Sequence, residues 1–213
     1  MYKRQALGPK VVNMTMVTRH IFQYAPQELT QGMRMVSAIA PGVLGLTGIE
    51  TAEIIKGIVE KIQPNLIIAI DSLGSRSVAR IGTTIQIANT GVNPGSGVGN
   101  QRKALTKETL GIPVIAIGIP TVVNAAVIAK DTIDAFMNML QNNQTVYNVV
   151  QTMNPHGEEQ VINQILEPFG GNLMVTPKEI DDLIQRAAKI VAGGITKALH
   201  PNLDPQEYEY YLN

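Results

Sequence analysis

Two short, uninterrupted apolar runs at residues 66–70 and 114–118 most constrain what this chain can fold into. Both are rich in β-branched residues and too short for a buried helix, which is typical of strands covered on both faces. The segment before the first run has apolar residues at helical spacing. It follows a capping-box pattern at Thr47 and Glu50 and stops at Pro64. Strands that alternate with helices in this way predict an α/β fold with a mostly parallel sheet covered on both faces.

The other periodic segments extend this pattern along the chain. Pro120 is expected in the first turn of a helix that reaches Leu140, where its missing N–H is not needed. Further helices are predicted at residues 6–21, 158–166 and 177–199, strands at 35–40 and 83–88, a helical turn at 75–80, and loops at 91–99 and 141–157. We expect residues 1–213 to form one domain, because the chain has the length of one good-sized α/β domain.

Composition excludes several classes of site. The chain has no cysteine, which rules out disulfides, thiolate zinc sites and cysteine nucleophiles. Basic and acidic residues number 17 each, so no direct nucleic-acid binding is expected. The histidines form no HExxH pattern, and neither a metal nor another cofactor is expected. The uncharged stretch 110–129 is interrupted by Pro113, Pro120 and Asn124, which indicates a strand and a helix rather than a membrane span.

One carboxylate follows the first apolar run directly. Asp71 is expected just past the end of that strand, and ligands of open α/β sheets collect at the carboxyl ends of strands. A carboxylate beside an apolar strand end loses solvation, so its pKa can rise toward a value useful for general acid or base catalysis. The alternative is that Asp71 caps the turn formed by residues 72–77, which is a common role for aspartate.

A glycine-rich segment, "TGVNPGSGVGNQRK", is the second candidate site. Gly95, Ser96 and Gly97 lie at its centre, where backbone N–H groups could approach an anion or the main chain of a substrate. Arg76, near Asp71, could attract acidic residues of a substrate, and Arg102 at the end of the segment is a further candidate for substrate binding. Both arginines could equally belong to a solvated surface, and the segment fits neither a P-loop nor a dinucleotide-binding fingerprint.

Several long strings resemble the germination protease family of endospore-forming bacteria. They include "IQPNLIIAIDSLGSRSVARI", "PGSGVGN" and "LMVTPKE", and the similarity runs from Ala6 to about His200 in family order. The resemblance implies an endopeptidase that is made as a zymogen, forms a homotetramer and degrades small acid-soluble spore proteins in the cytoplasm of the germinating spore core. It also implies a three-layer α/β/α sandwich similar to the hydrogenase-maturation endopeptidases.

The same resemblance implies a mechanism in which two acidic residues activate a water. The first acid falls on Asp71, whereas the second falls on Gln5, within "KRQALGPK". Residues 1–5 look foreign to the family, and we expect the propeptide and first strand to be missing. Because glutamine cannot titrate, we expect impaired activity. The alternatives are a non-catalytic fragment or paralogue that binds spore proteins or the full-length protease, and a metal-dependent peptidase of the maturation type.

Overall fold

The computed structural model describes residues 7–95, 102–141, 144–153 and 157–202. Ten α-helices and four strands lie in these ranges, with two 3₁₀ turns at Val78–Arg80 and Glu167–Phe169. The helices are α1 (Leu7–Met14), α2 (Ile21–Tyr24), α3 (Gln27–Thr30), α4 (Leu44–Thr47), α5 (Thr51–Ile62), α6 (Lys107–Leu110), α7 (Ala125–Leu140), α8 (Gln144–Met153), α9 (Gly157–Leu166) and α10 (Ile180–Leu199). The strands are β1 (Ile67–Ser75), β2 (Gln86–Ala88), β3 (Val114–Asn124) and β4 (Met174–Val175).

Strand β3 is the centre of the sheet. It pairs in parallel with β1 over nine register positions, from Ile67 opposite Val114 to Ser75 opposite Val123. The short strands β2 and β4 both pair with β3 in the antiparallel sense. The α/β class is therefore confirmed, but the sheet is mixed: the expected parallel pairing holds for its longest pair only.

Helical residues pack against side chains from both faces of the sheet. Ile117 and Ile119 of β3 join the buried residues of α1 and α10, and Ile68 and Ile70 of β1 pack against the same cluster. A second cluster contains Val114 of β3 with Leu105 and Leu110, and the partly buried residues against it are Ala52, Ile55, Ile67, Ala69, Val92 and Ile112. This division follows the alternation of side chains along a strand, so odd-numbered and even-numbered residues of β1 face opposite ways. Apart from the buried Ser75, the residues of β1 are half-buried, because β1 lies at an edge of the described sheet.

Both predicted strands continue well beyond their apolar runs. The main consequence is that Pro120 lies inside β3, and not in the first turn of α7 as predicted. The register explains how the strand accommodates it: Leu73 pairs with Pro120 but Gly74 pairs with Val122, which leaves one extra residue on β3. Prolines are tolerated at such bulges because one ladder hydrogen bond is already missing there.

Helix α7 begins five residues later than predicted and ends at Leu140 as expected. Its start is fixed by Asn124, whose side-chain oxygen accepts a hydrogen bond from the Ala126 N–H at 2.8 Å. The side-chain amide of Asn124 also donates to the Gly171 carbonyl at 3.4 Å. The end of β3 therefore leads directly into a capped helix.

The helix predicted at residues 6–21 is interrupted after Met14. Thr15 donates its hydroxyl to the Val11 carbonyl at 2.8 Å, and the buried Thr18 bonds instead to the segment around Val36. Thr18 and Arg19 thus bind the backbone of Val36, but residues 35–40 do not form the predicted strand. At the other end of this segment, the buried imidazole of His200 accepts the Arg34 N–H at Nδ1 over 3.4 Å.

The remaining predictions differ mainly at element boundaries. Helix α5 stops before Pro64 as predicted, but the predicted capping box is wrong. The Thr47 hydroxyl accepts a hydrogen bond from the Ile49 N–H, and no side chain caps α5. Residues 141–157, predicted as a loop, contain helix α8, and strand β4 was not predicted. Helices α9 and α10 confirm the last two predicted helices, with α10 starting at Ile180. Among the described residues, no helix is both long enough and apolar enough to span a membrane.

Candidate functional site

Asp71 is the fifth residue of β1, so its predicted position just past the strand end is wrong. It pairs in register with Gly118 of β3, which has no side chain. The strand continues through Ser72–Ser75 because β3 supplies hydrogen-bonding partners as far as Val123. A backbone fixed in a ladder on β3 holds the carboxylate more rigidly than a loop would.

The environment of the Asp71 carboxylate raises its pKa. Burial is the larger effect, because it disfavours the charged form, and a hydrogen bond from the Ser72 N–H opposes it. That hydrogen bond joins the Ser72 nitrogen to Oδ1 of Asp71 at 2.8 Å. The predicted direction of the pKa shift is therefore confirmed.

The capping interpretation of Asp71 is wrong. The 3₁₀ turn begins after Ser77, and no side chain caps it. The approach to this turn is instead organised by Ser75, whose hydroxyl donates to the Ser77 carbonyl at 2.5 Å and accepts the Ser77 N–H at 3.2 Å. Asp71 therefore does not cap this turn, and capping does not explain why a carboxylate occupies position 71.

Two neighbours of Asp71 were missed from the sequence, Leu73 and Gly118. An ideal Cβ added at Gly118 would lie 2.4 Å from Cδ1 of Leu73, so the leucine side chain occupies the space directly opposite Asp71. The available signals were a glycine inside an apolar strand and the two-residue spacing of Asp71 and Leu73. Neither signal could be interpreted without the β1–β3 register.

The start of α1 also lies against β1. An ideal Cβ on Gly8 would be 3.2 Å from the carbonyl oxygen of Ile70, the residue before Asp71. Gly8, in the first turn of α1, is therefore close to the backbone beside the carboxylate. Gln5, the residue predicted to replace the second acid, lies outside the described residues.

Only part of the glycine-rich segment is described. Gly95 has a positive φ of 77°, whereas Ser96 and Gly97 lie outside the described residues. The segment is anchored at its base by a bridge in which the Val92 N–H donates to the Leu105 carbonyl at 3.0 Å and the Leu105 N–H donates back at 2.8 Å. This bridge places the two ends of the segment side by side.

The two arginines are not brought to Asp71 by any described contact. Arg76 is exposed and Arg102 is half-buried. The ion pairs in the described part of the chain are Lys103 with Glu53 at 3.0 Å and Lys130 with Asp134 at 3.8 Å, and neither arginine takes part. The substrate-binding role of Arg76 and Arg102 stays a prediction.

A hollow of about 360 Å³ lies beside α5 and α6, and Asp71 is not among the residues that line it. Its lining consists of Ala52, Glu53, Lys56, Lys103, Ala104, Thr109 and Leu110. The described residues contain no group of three or more histidine, aspartate or glutamate side chains placed to hold a metal ion.

Comparison with known proteins identifies the relatives of this chain. A family model described as germination protease matches residues 2–143 and 137–212. The germination protease of Clostridium tetani is 49% identical over 212 residues, covering 98% of this chain and 66% of the relative. That of Clostridium perfringens strain 13 is 50% identical over 98% of this chain and 65% of the relative. That of Bacillus subtilis is 42% identical over 97% of this chain and 65% of the relative. The chain thus spans slightly less than two thirds of the length of these relatives.

Proposed function

We propose that this chain, which belongs to the germination protease family, carries an endopeptidase site in which Asp71 activates the hydrolytic water. The observation that carries the proposal is the half-buried Asp71 carboxylate with a raised pKa, held in mid-strand opposite a glycine. A base with a raised pKa binds a proton more readily near neutral pH than an ordinary aspartate does. Perturbed carboxylates of this kind cluster at active sites.

In the proposed reaction, the oxygen of water attacks the carbonyl carbon of the scissile peptide bond while Asp71 takes a proton from that water. A second acid then donates a proton to the amide nitrogen as the carbon–nitrogen bond breaks. Two carboxylates in one site can divide these roles, because each raises or lowers the pKa of the other. Gln5 occupies the position assigned to the second acid. Its amide can hydrogen-bond a water but cannot exchange this proton, so we expect little cleavage by the chain as it stands.

The substrates proposed are small acid-soluble spore proteins, degraded in the spore core during germination. The family resemblance supports this proposal. On the same ground we propose that the protein is made as a zymogen and assembles into a homotetramer. We also propose that it forms a single domain, a three-layer α/β/α sandwich similar to the hydrogenase-maturation endopeptidases. Helical residues packed on both faces of the sheet are compatible with such a sandwich. The two-acid reaction requires no cofactor.

The experiment compares cleavage of a purified small acid-soluble spore protein by the parent chain and by three variants, with products identified by mass spectrometry. We expect Gln5→Asp to increase cleavage over the parent chain. Adding Asp71→Asn should then reduce the rate by about 10²- to 10⁴-fold, the usual contribution of a general acid or base. The matched control is Asp131→Asn, which removes an exposed carboxylate on α7 and should leave the rate unchanged.

Full activity after Asp71→Asn would refute the role given to this residue. Cleavage that a strong chelator abolishes would instead favour a metal-dependent peptidase. The second candidate function, binding without cleavage, is favoured for this chain by Gln5. It predicts that the parent chain forms a complex with the spore protein and releases no products, even after Gln5→Asp.

A further inference from the structure

We propose that Leu73, seated over Gly118, is a positioning residue for Asp71: its side chain covers the cross-strand side of the carboxylate and keeps water away from it. The inference rests on the proposed function in one respect, because the proposed function is what gives Asp71 a catalytic role. The covering of the carboxylate stands on the geometry of β1 and β3.

The geometry begins with the alternation of side chains along β1. Asp71 and Leu73 are two residues apart, so they lie on the same face of the sheet. In the parallel register, Asp71 is opposite Gly118 and Leu73 is opposite Pro120. Each residue of β1 would ordinarily have its cross-strand partner's side chain beside it, at the strand spacing of about 4.8 Å.

The side chain of Leu73 replaces the one that Gly118 lacks. An ideal Cβ at Gly118 would lie 2.4 Å from Cδ1, 2.7 Å from Cγ and 3.0 Å from Cδ2 of Leu73. The leucine side chain therefore leans back along the sheet by two register positions, from the level of Pro120 to that of Gly118, beside Asp71. The glycine is required for this arrangement, because any side chain at position 118 would displace the leucine.

The consequence is electrostatic. An apolar side chain next to a carboxylate removes water that would solvate its charged form. Burial is the larger influence on the pKa of Asp71, and among the described residues the influence that opposes it is the hydrogen bond from the Ser72 N–H. Helix α5 contributes residues to the cluster on this face, and its charged side chains, Glu53, Lys56, Glu60 and Lys61, are all exposed. Leu73 is the apolar side chain that the register and the approach to Gly118 place beside Asp71.

The test is an NMR titration of the full chain with ¹³C-labelled aspartate, in which the Asp71 signal is assigned by its loss in Asp71→Asn. We expect Leu73→Ala to move the Asp71 midpoint to lower pH, because water gains access to the carboxylate. Leu73→Met should keep the parent midpoint, since it retains a long apolar side chain. The matched control is Ile68→Ala, a similar truncation on the opposite face of β1, which should leave the midpoint unchanged.

A smaller truncation, Leu73→Val, keeps the test decisive if Leu73→Ala does not fold. An unchanged midpoint in the folded Leu73 variant would overturn the inference, and so would an equal shift in Ile68→Ala. The titration reports on the carboxylate whether or not the chain cleaves a substrate. Failure of the catalytic role is measured separately, by the cleavage rate of Asp71→Asn in the Gln5→Asp background. In that background, Leu73→Ala should also move the acidic limb of the pH–rate profile to lower pH.

Discussion

Gly91→Ala is expected to destabilise the chain more than a matched glycine substitution elsewhere. Gly91 has a φ of 79° at the start of the glycine-rich segment, in the left-handed region. An ideal Cβ there would lie 2.2 Å from the Leu105 carbonyl oxygen and 2.8 Å from Cα of Thr106. Both atoms belong to the backbone, so no side-chain rotation can relieve the contact.

The magnitude follows from two separate costs. A left-handed alanine costs about 1–2 kcal/mol, and an overpacked contact that shifts the backbone costs about 1–3 kcal/mol more. Gly91→Ala should therefore lower the free energy of unfolding by about 2–5 kcal/mol. Gly111 provides the control, because its φ is 76° and no atom lies within 4 Å of an added Cβ. Gly111→Ala should cost only the conformational part, about 1–2 kcal/mol.

The assay is urea unfolding of both variants, followed by two spectroscopic probes whose transitions must coincide. Amide hydrogen exchange then locates the effect, because Gly91→Ala should reduce protection at Val92 and Leu105 whereas Gly111→Ala should not. Equal destabilisation by the two substitutions would refute the reasoning. It would mean that Gly91 does not pack closely against the Leu105 backbone.

Three further predictions concern pH and helix capping. Burial raises the folded-state pKa of Asp71 above its ordinary 3.8, so its contribution to stability is lost as pH rises through the folded pKa. Asp71→Asn should therefore stabilise the fold at neutral pH, by about 1.4 kcal/mol per unit of raised pKa, and the gain should vanish in acid. A stability difference independent of pH would contradict this. Burial and the nearby Arg34 lower the pKa of His200 below 6.5, so the free energy of unfolding should fall as pH drops below that value. Because asparagine does not titrate, His200→Asn should lack this part of the pH dependence when unfolding by urea is measured across pH. Asn124→Ala should lower stability by about 1 kcal/mol through loss of the α7 cap, measured by thermal unfolding, whereas Asn138→Ala within the same helix should not.

The start of each long strand could be predicted from the sequence, and the end could not. Apolar β-branched runs mark where β1 and β3 begin, because both faces of the sheet are covered there. Residues 72–75 of β1 are serine, leucine and glycine, which are equally compatible with a turn. They are strand because the ladder to β3 continues, and that pairing is tertiary information. The position of Pro120 inside β3 has the same origin, since a bulge exists only with respect to a partner strand.

Helix α8 could not be predicted from the sequence for a different reason. Residues 141–157 contain several asparagines, which have weak helix propensity and favour turns. The helix packs against α7, and such packing overrides local preference. Propensity alone therefore predicted a loop where the fold supports ten residues of helix.

For the candidate site, the sequence identified the carboxylate and the direction of its pKa shift but not the residues responsible. Local composition shows that Asp71 follows apolar residues, which is sufficient to expect desolvation. Identifying Leu73 and Gly118 as its neighbours requires the register between two strands whose paired residues lie more than forty positions apart in the chain.

The same register joins the stability and the proposed chemistry of Asp71. Pairing with β3 fixes its backbone, Gly118 leaves the opposite position empty, and Leu73 fills that position with an apolar side chain. The burial that raises the pKa toward a useful value also opposes folding at neutral pH, so catalysis and stability should respond in opposite directions to Asp71→Asn. A slip of β1 by one residue would turn Asp71 to the other face of the sheet and abolish all of these effects together. Leu73→Ala distinguishes solvation from register. If it lowers the pKa of Asp71 while the amide protection of β1 and β3 stays intact, the pKa was raised by loss of solvation and the register is unchanged.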